Sequence, residues 1–503
     1  MTEPNLVGTQ DRPAARRAGF RWVILGFLGL GTACRLYAVL LPPTAPMLWD
    51  HHEYVSWGRL MDQSGFTALY DDTPPLGQMW SPMRQARFPA RPDTLHYCNY
   101  PPGIAYVLYP KIRLLALVDP TEASNTPTAR LIFAALPLAC DILLAFGCLA
   151  LVRPYGHKPA IVAFAAAILA PPFIIDSCHW GQTDSMTLAP AVWMVWAMLR
   201  QRWMTAGILW GAALALKTQG ILLTPLWLLA FVLEPRRARV VAGGGAAILV
   251  LLAAALPFTL HSGLQWFIRG FWNNLTEFYQ QTTLLAFNIW YADLLVCENN
   301  DATLTWFGVS KDTWGKVFLL IGLAITTGLL WRRRQRHPAL MVRFAAVLLL
   351  LAVMLPTRVH ERYIVLPLPF LICVAAVCPR AWWGVAPLLL AATCQITAPD
   401  WLTMRATQWY YVEHRILADL EEQYAALHAE MERGNLTPEQ FAALPTPREQ
   451  LAIDHENHRI QRWATGDPIR EWALTLLSLA STLVCLVFVI PGCRARPPSA
   501  QPQ

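Results

Sequence analysis

A short polar loop, His179-Trp180-Gly181-Gln182-Thr183-Asp184-Ser185, lies between two apolar runs, and its side chains can hydrogen-bond hydroxyl groups and exchange protons. Ionisable groups at membrane depth cost about 2.5 to 3.5 kcal/mol each on insertion scales, so a polar cluster beside the bilayer needs a reason. A solvated loop is the simplest. Against it, three more polar clusters stand at equivalent edges of apolar runs: Asp50 to Glu53, Lys217 to Gln219, and Arg358 to Arg362. Together they suggest chemistry at a membrane surface.

Asp50-His51-His52-Glu53 follows the first apolar run directly. Two carboxylates three residues apart on a helix share one face and reach one cavity. A carboxylate at the rim of a low-dielectric pocket is basic enough to take the proton of an attacking hydroxyl. The competing explanation is a solvated helix start capped by Asp50. A metal site on His51 and His52 is disfavoured, because adjacent side chains on a helix diverge. In Arg358-Val359-His360-Glu361-Arg362-Tyr363 the arginine forks suit phosphate oxygens and His360 can add a hydrogen bond. Snorkelling of the arginines to lipid head groups is the alternative there. Lys217-Thr218-Gln219 interrupts an apolar hairpin at the same depth, which makes Lys217 a candidate second anion ligand.

The elements that must hold these groups are membrane helices. The chain has 503 residues, 55% hydrophobic and only 15% charged, which implies an all-α polytopic membrane protein. Crossing a hydrocarbon core takes about 20 apolar residues, and about twelve runs qualify once helix ends snorkel. They lie near 20–41, 129–152, 159–175, 186–200, 204–217, 219–233, 239–258, 315–331, 339–356, 363–378, 381–397 and 470–490. Arg12, Arg16, Arg17 and Arg21 place the N-terminus in the cytoplasm, as Arg332 to Arg334, Arg380, Arg494 and Arg496 do for their own segments. Every polar cluster then faces the other side, provided that Ile104 to Val118, broken by Pro110, lies along the interface. The first run lacks a small-residue cleavage site and is expected to remain as an anchor.

The expected organisation is a cytoplasmic tail over 1–19, a transmembrane catalytic domain over 20–397, a non-cytoplasmic insert over 398–468, and a last span with a cytoplasmic tail over 469–503. The catalytic domain carries long outer loops at 42–128 and 259–314. The insert holds twelve acids against six arginines in a chain of net charge +7. Ile416, Leu420, Tyr424, Leu427 and Met431 recur at helical spacing, with Gly434 as a stop. Thr437-Pro438-Glu439-Gln440 and Thr446-Pro447-Arg448-Glu449 read as capped helix starts. Packing or partner docking is the role expected of this insert. Eleven cysteines are scattered without a C-x-x-C pattern. Cys98, Cys178 and Cys297 fall in outer loops, where a disulfide such as Cys98 to Cys297 and free thiols both remain open.

Asn99-Tyr100-Pro101-Pro102-Gly103 with Tyr106, His179 to Ser185, Lys217-Thr218-Gln219 and Val359-His360-Glu361-Arg362 occur in an order and spacing that resemble the GT-C superfamily of membrane glycosyltransferases. The most similar branch holds the dolichyl-phosphate-glucose glucosyltransferases of N-glycan assembly and their prokaryotic relatives; Arg269-Gly270 and Asn288-Ile289-Trp290 also resemble it. About the first 380 residues share the likeness. It implies a GT-C fold and inverting, metal-independent transfer of one hexose, glucose or mannose, from a polyprenyl-phosphate donor. The acceptor would be lipid-linked or membrane-proximal, on the non-cytoplasmic face of a bacterial plasma membrane or the endoplasmic reticulum. Neither a cofactor nor a nucleic-acid partner is expected.

By the same resemblance Asp50 is the catalytic base and His360 with its neighbours lies near the donor phosphate; with the residue chemistry above, Arg358, His360, Arg362 and Lys217 are the expected phosphate ligands. Glu53, Tyr100, His179, Gln182, Asp184, Gln219, Arg269 and Glu361 position substrate. Two departures stand out. Two histidines separate the first-loop acids, where the eukaryotic enzymes have Asp-x-Glu, which weakens the case for Glu53. The His-Trp-Gly-Gln-Thr-Asp form is the prokaryotic-looking variant. A lipid-linked saccharide transporter is the rival reading, but it would need charges along a through-path, and only Asp141 lies near a span centre.

Overall fold

The computed structural model describes residues 12–41, 45–71, 98–119, 126–276, 281–297, 299–332, 340–401, 420–447, 449–450, 453 and 468–491. These are overwhelmingly helical. In chain order the main helices are α1 (Arg12–Leu40), α2 (Ala45–Ser64), α3 (Gly103–Val118), α4 (Pro127–Val152), α5 (His157–Leu169), α6 (Asp184–Leu199), α7 (Trp203–Leu216) and α8 (Thr224–Leu233). They continue as α9 (Arg237–Ser262), α10 (Ile289–Cys297), α11 (Lys311–Arg332), α12 (Leu340–Met354), α13 (Leu368–Val377), α14 (Trp382–Trp401) and α15 (Pro468–Val489). Four two-residue strands complete the set: β1 (Thr283–Leu284) pairs in parallel with β4 (Val359–His360), and β2 (Thr305–Trp306) forms a hairpin with β3 (Val309–Ser310).

Every expected span coincides with helix, but among the described residues only six helices are long and apolar enough to cross a membrane. A seventh appears if α5 and the bent segment Pro171–Trp180 count together. The reason lies in the breaks. Lys217 interrupts the hairpin of α7 and α8, and α12 has 15 residues, about 22 Å of helix at 1.5 Å per residue. Every residue of α12 is buried, so its apolar run marks the centre of the protein core rather than a lipid-facing span. By contrast α9 exposes Val241, Ile248, Leu249, Leu252, Leu256 and Leu260, a stripe that only lipid would cover comfortably.

Gly103–Val118 is a single helix with Pro110 inside it. It ties two long spans together through polar bonds. Pro137 has no N–H to offer the carbonyl of Phe133, and Lys111 Nζ donates to that carbonyl at 2.7 Å. Tyr106 Oη donates to the Ala254 carbonyl in α9 at 3.2 Å. At the start of α3 the backbone crosses α7 so closely that a Cβ on Gly103 would lie 2.5 Å from the Ala215 oxygen. That approach sets the loop bearing Tyr100 against the helix end bearing Lys217.

Asp141, the charge expected near a span centre, is fully buried and ion-paired with Arg35 at 2.7 Å. Ser177 Oγ donates to the same carboxylate at 2.6 Å, and Ser185 Oγ donates as well. Arg35 also donates to the carbonyls of Gly31 and Ile168. Such a satisfied cluster pins α1, α4 and the 175–185 segment together, and no through-path is needed to explain it. The last span, beyond the family likeness, is part of the same body: Glu471 accepts from Tyr291 Oη at 2.6 Å, and Arg343 Nε donates to the Val489 carbonyl at 2.7 Å.

In the insert, Thr437 and Gln440 exchange reciprocal bonds of 3.2 and 2.9 Å behind Pro438, and Gly434 takes φ +80° after the preceding helix. Thr446 Oγ1 accepts from the Glu449 N–H at 3.4 Å while the Glu449 carboxylate accepts from the Thr446 N–H at 2.8 Å. Ile416 and Arg448 lie outside the described residues. Cys98 and Cys178 are buried free thiols, and Cys297 is an exposed one.

Candidate functional site

The 175–184 segment is built to aim side chains. After Pro171–Ile174 the chain widens into a π-helical turn over Ile175–Trp180, a geometry concentrated at functional sites. Gly181 then takes φ +81°, where a Cβ would cost about 1 to 2 kcal/mol, and the Gln182 N–H closes onto the Asp176 carbonyl at 2.9 Å. The reversal points Gln182 back toward α2 and starts α6 at Asp184. A carboxylate in the first turn of a helix sits in the favourable field of the unpaired N–H groups.

Gln182 Nε2 donates to Asp50 Oδ2 across 132 residues of chain. Lys217 stands at the end of α7 with extended backbone and pairs with Asp184 Oδ1 at 2.7 Å, both side chains nearly inaccessible. Parallel pairing of β1 with β4 brings in the third segment. Arg362 lies between these acids: Nη1 is 3.6 Å from Asp50 Oδ2 and 3.2 Å from Glu361 Oε1, and Nε is 3.8 Å from Asp184 Oδ2. Its guanidinium carbon is 5.3 Å from the Trp180 ring centroid, and the Lys217 ammonium is 5.6 and 5.7 Å from those of Tyr100 and Tyr363.

Asp50, Gln182, Asp184, Lys217, Glu361 and Arg362 therefore form one cluster, buried except at the part-exposed Asp50, with Tyr100 packed against it and His360 joined through Glu361, whose Oε2 is 3.7 Å from His360 Nδ1. Burial, reinforced by the Arg362 charge, holds the His360 imidazole below its ordinary value of 6.5. Burial alone would raise the Glu361 carboxyl, but His360 and Arg362 outweigh it and hold it below 4.5. At neutral pH the pair is a carboxylate beside a neutral imidazole. Gln395 Nε2 fixes the turn by donating to the Glu361 carbonyl.

Other expected residues have different surroundings. Arg358, at φ +63°, places Nε 3.3 Å from Asp312 Oδ1 and donates from Nη1 to the Thr276 carbonyl, so it faces away from this cluster. Arg269 holds the carbonyls of Tyr70 and Asp71 at 2.9 and 2.6 Å, and His179 Nδ1 lies 3.3 Å from the Ala38 carbonyl. Glu53 is buried beside Cys98, whose thiol is pushed up to about 12 by burial, with the Glu53 charge adding to the effect. Gln219 is half-buried, its Oε1 without a hydrogen bond. The side chain of His52 lies outside the described residues.

Two residues absent from the sequence-derived set belong to the cluster. Tyr54 Oη donates to Gln182 Oε1 at 3.0 Å; its place four residues after Asp50, on the same helix face, was a usable signal. Asp176 has both carboxylate oxygens buried without a hydrogen bond, and nothing in its local sequence marks it. Arg362 Nε and Asp184 Oδ2 are likewise buried without a hydrogen bond. Among the described residues no three His, Cys, Asp or Glu side chains gather as metal ligands would.

Fold and cluster define a helical membrane protein with an acid, amide and cation centre capable of taking up a proton and holding an anion. The sequence profile of Glycosyltransferase family 87 matches residues 97–356, and the chain belongs to that family. It is a membrane glycosyltransferase. The matched stretch contains Gln182, Asp184 and Lys217, whereas Asp50 and Arg362 flank it on either side. A comparison with curated proteins finds no match.

Proposed function

We propose that the protein transfers a single hexose, glucose or mannose, from a polyprenyl-phosphate donor to a lipid-linked or membrane-proximal acceptor by one inverting displacement. Asp50 is the base. Arg362, with His360 and Lys217, faces the donor phosphate, Gln182 holds Asp50 in place, and Asp184 and Gln219 hold sugar or acceptor hydroxyls. The observation that carries this reading is the position of Arg362, within ion-pair reach of Asp50 and Asp184 but with a buried Nε that no hydrogen bond uses.

Charge explains why that position suits the reaction. Among the groups joined by ion pairs, Asp50, Asp184 and Glu361 contribute three negative charges against two positive ones from Lys217 and Arg362, so this set carries a net −1 before a phosphate arrives. As the acceptor hydroxyl attacks, its proton neutralises Asp50, and Arg362 loses one of its anionic neighbours. At the same moment the phosphodiester becomes a phosphomonoester with one more negative charge. The guanidinium can then serve the leaving phosphate, an interaction that strengthens along the reaction coordinate and so lowers the barrier. One base and one cation suffice, so the reading is metal-independent.

The architecture proposed around this centre counts the short apolar helices with the long spans, about twelve membrane segments in all, with both termini cytoplasmic and the centre on the opposite face. The transporter alternative is not favoured, because the family is one of glycosyltransferases. The test is single-turnover transfer from purified polyprenyl-phosphate mannose and glucose in detergent, with host lipid extract as acceptor source. Asp50→Asn is expected to slow the chemical step by a factor of about 100 to 10,000. Full activity of that variant would refute the assignment.

A further inference from the structure

The hydrogen bonds that end on Asp50 run in one direction. Tyr54 Oη donates its only hydrogen to Gln182 Oε1 at 3.0 Å, so the 2.8 Å contact between Tyr54 Oη and Tyr100 Oη is donated by Tyr100. With its carbonyl end engaged, Gln182 must turn its NH2 end to Asp50 Oδ2. A flipped amide would set an oxygen against the carboxylate. Burial, with Tyr100 and Asp50 nearby, keeps the Tyr54 hydroxyl protonated and able to donate. Arg362 Nη1 approaches the same oxygen, Oδ2, at 3.6 Å. Among the described residues Asp50 Oδ1 has neither a hydrogen bond nor an ion pair.

We propose that Tyr54 is a positioning residue which, through Gln182, commits Asp50 Oδ2 to the protein and leaves Oδ1 as the atom that takes the acceptor's proton. This rests on the reading of Asp50 as the base. In the step itself the acceptor O–H bond breaks and its proton passes to Oδ1. The acceptor oxygen forms a bond to the anomeric carbon, and the bond from that carbon to the phosphate oxygen breaks, its electron pair leaving on the phosphate. Tyr54 and Asp50 lie one turn apart on α2, so a rigid helix holds both ends of the chain Tyr54–Gln182–Asp50. Without that constraint the carboxylate could rotate about its terminal torsion, which is broad, and aim Oδ1 correctly for only part of the time.

The test is a double-mutant cycle on the full-length enzyme in detergent, using labelled polyprenyl-phosphate mannose and glucose with host lipid extract as acceptor source. Tyr54→Phe removes one hydroxyl and is expected to lower kcat about 10- to 100-fold, the scale of a small misplacement of a reacting group, with donor KM unchanged. Gln182→Leu should do at least as much. Adding Tyr54→Phe to Gln182→Leu should cost nothing further, because the tyrosine acts only through the amide. A merely structural role for Tyr54 would give multiplicative losses in the cycle and a reduced folded fraction, and that result overturns the proposal. So does wild-type kcat in Tyr54→Phe. If wild type transfers from neither donor while vesicle assays show lipid flipping, the reading of Asp50 as a base falls, and this inference with it. If wild type transfers and only the cycle fails, the base stands and the Tyr54 assignment alone is refuted.

Discussion

The Lys217–Asp184 pair offers the sharpest separation of stability from chemistry. At 2.7 Å and an effective dielectric constant of about 20, the two charges attract by about 6 kcal/mol. Side chains only 4% and 0% exposed have surrendered their hydration, which costs several kcal/mol per ion and cancels most of that gain. The intact pair is thus close to neutral for stability, whereas removing one partner strands a buried charge at a cost of about 3 to 5 kcal/mol. Lys217→Met should fall at the lower end of that range, because Arg362 Nε at 3.8 Å still faces Asp184. The double variant Lys217→Met/Asp184→Leu removes both charges and should recover most of the lost stability. It should not recover sugar transfer if Lys217 faces the donor phosphate and Asp184 holds a hydroxyl. Equilibrium unfolding in detergent, paired with single-turnover transfer, measures both quantities on one preparation. The reasoning is refuted if Lys217→Met unfolds and turns over like wild type, or if the double variant regains stability and full activity together.

Gly103→Ala should destabilise the protein and slow transfer, because the new Cβ meets the Ala215 carbonyl at 2.5 Å, two residues before Lys217; thermal unfolding and turnover should fall together, unlike in Tyr54→Phe. The His360 imidazole is held below 6.5, so the unfolded chain binds the extra proton first and His360 costs stability as pH falls through its ordinary range. Glu361, held below 4.5, contributes stability above its ordinary value that is lost on further acidification. His360→Gln should therefore lose less stability than wild type on mild acidification, and it should retain more transfer than His360→Ala because a neutral N–H donor remains. Single cysteines placed at Asp71 and Gln440 should react with an impermeant reagent from the non-cytoplasmic side, and one at Arg334 should not; the opposite pattern would reverse the proposed orientation.

Much of the local structure was written in the sequence because it depends on neighbours a few residues apart. Apolar content placed the chain in a membrane, and helices lie at every expected span. Thr437-Pro438-Glu439-Gln440 caps a helix as read, since both partners of the cap lie within one turn. The polar clusters at helix ends were also legible, because charges are too costly at membrane depth to occur there without partners or function. Pairings across the chain were not. Asp141 looked like an isolated charge until folding brought it Arg35 from 106 residues away. Arg358 and Arg362 are equivalent in composition and nearly adjacent, yet the register of β1 on β4 and a left-handed backbone at Arg358 send one to Asp312 and the other to Asp50. The count of spans likewise turned on where helices break and which of them are wrapped by others, as α12 is. Local sequence determines which groups are present and which stretches become helix; the energy of a buried charge depends on what lies a few ångströms away, and only the tertiary structure decides that.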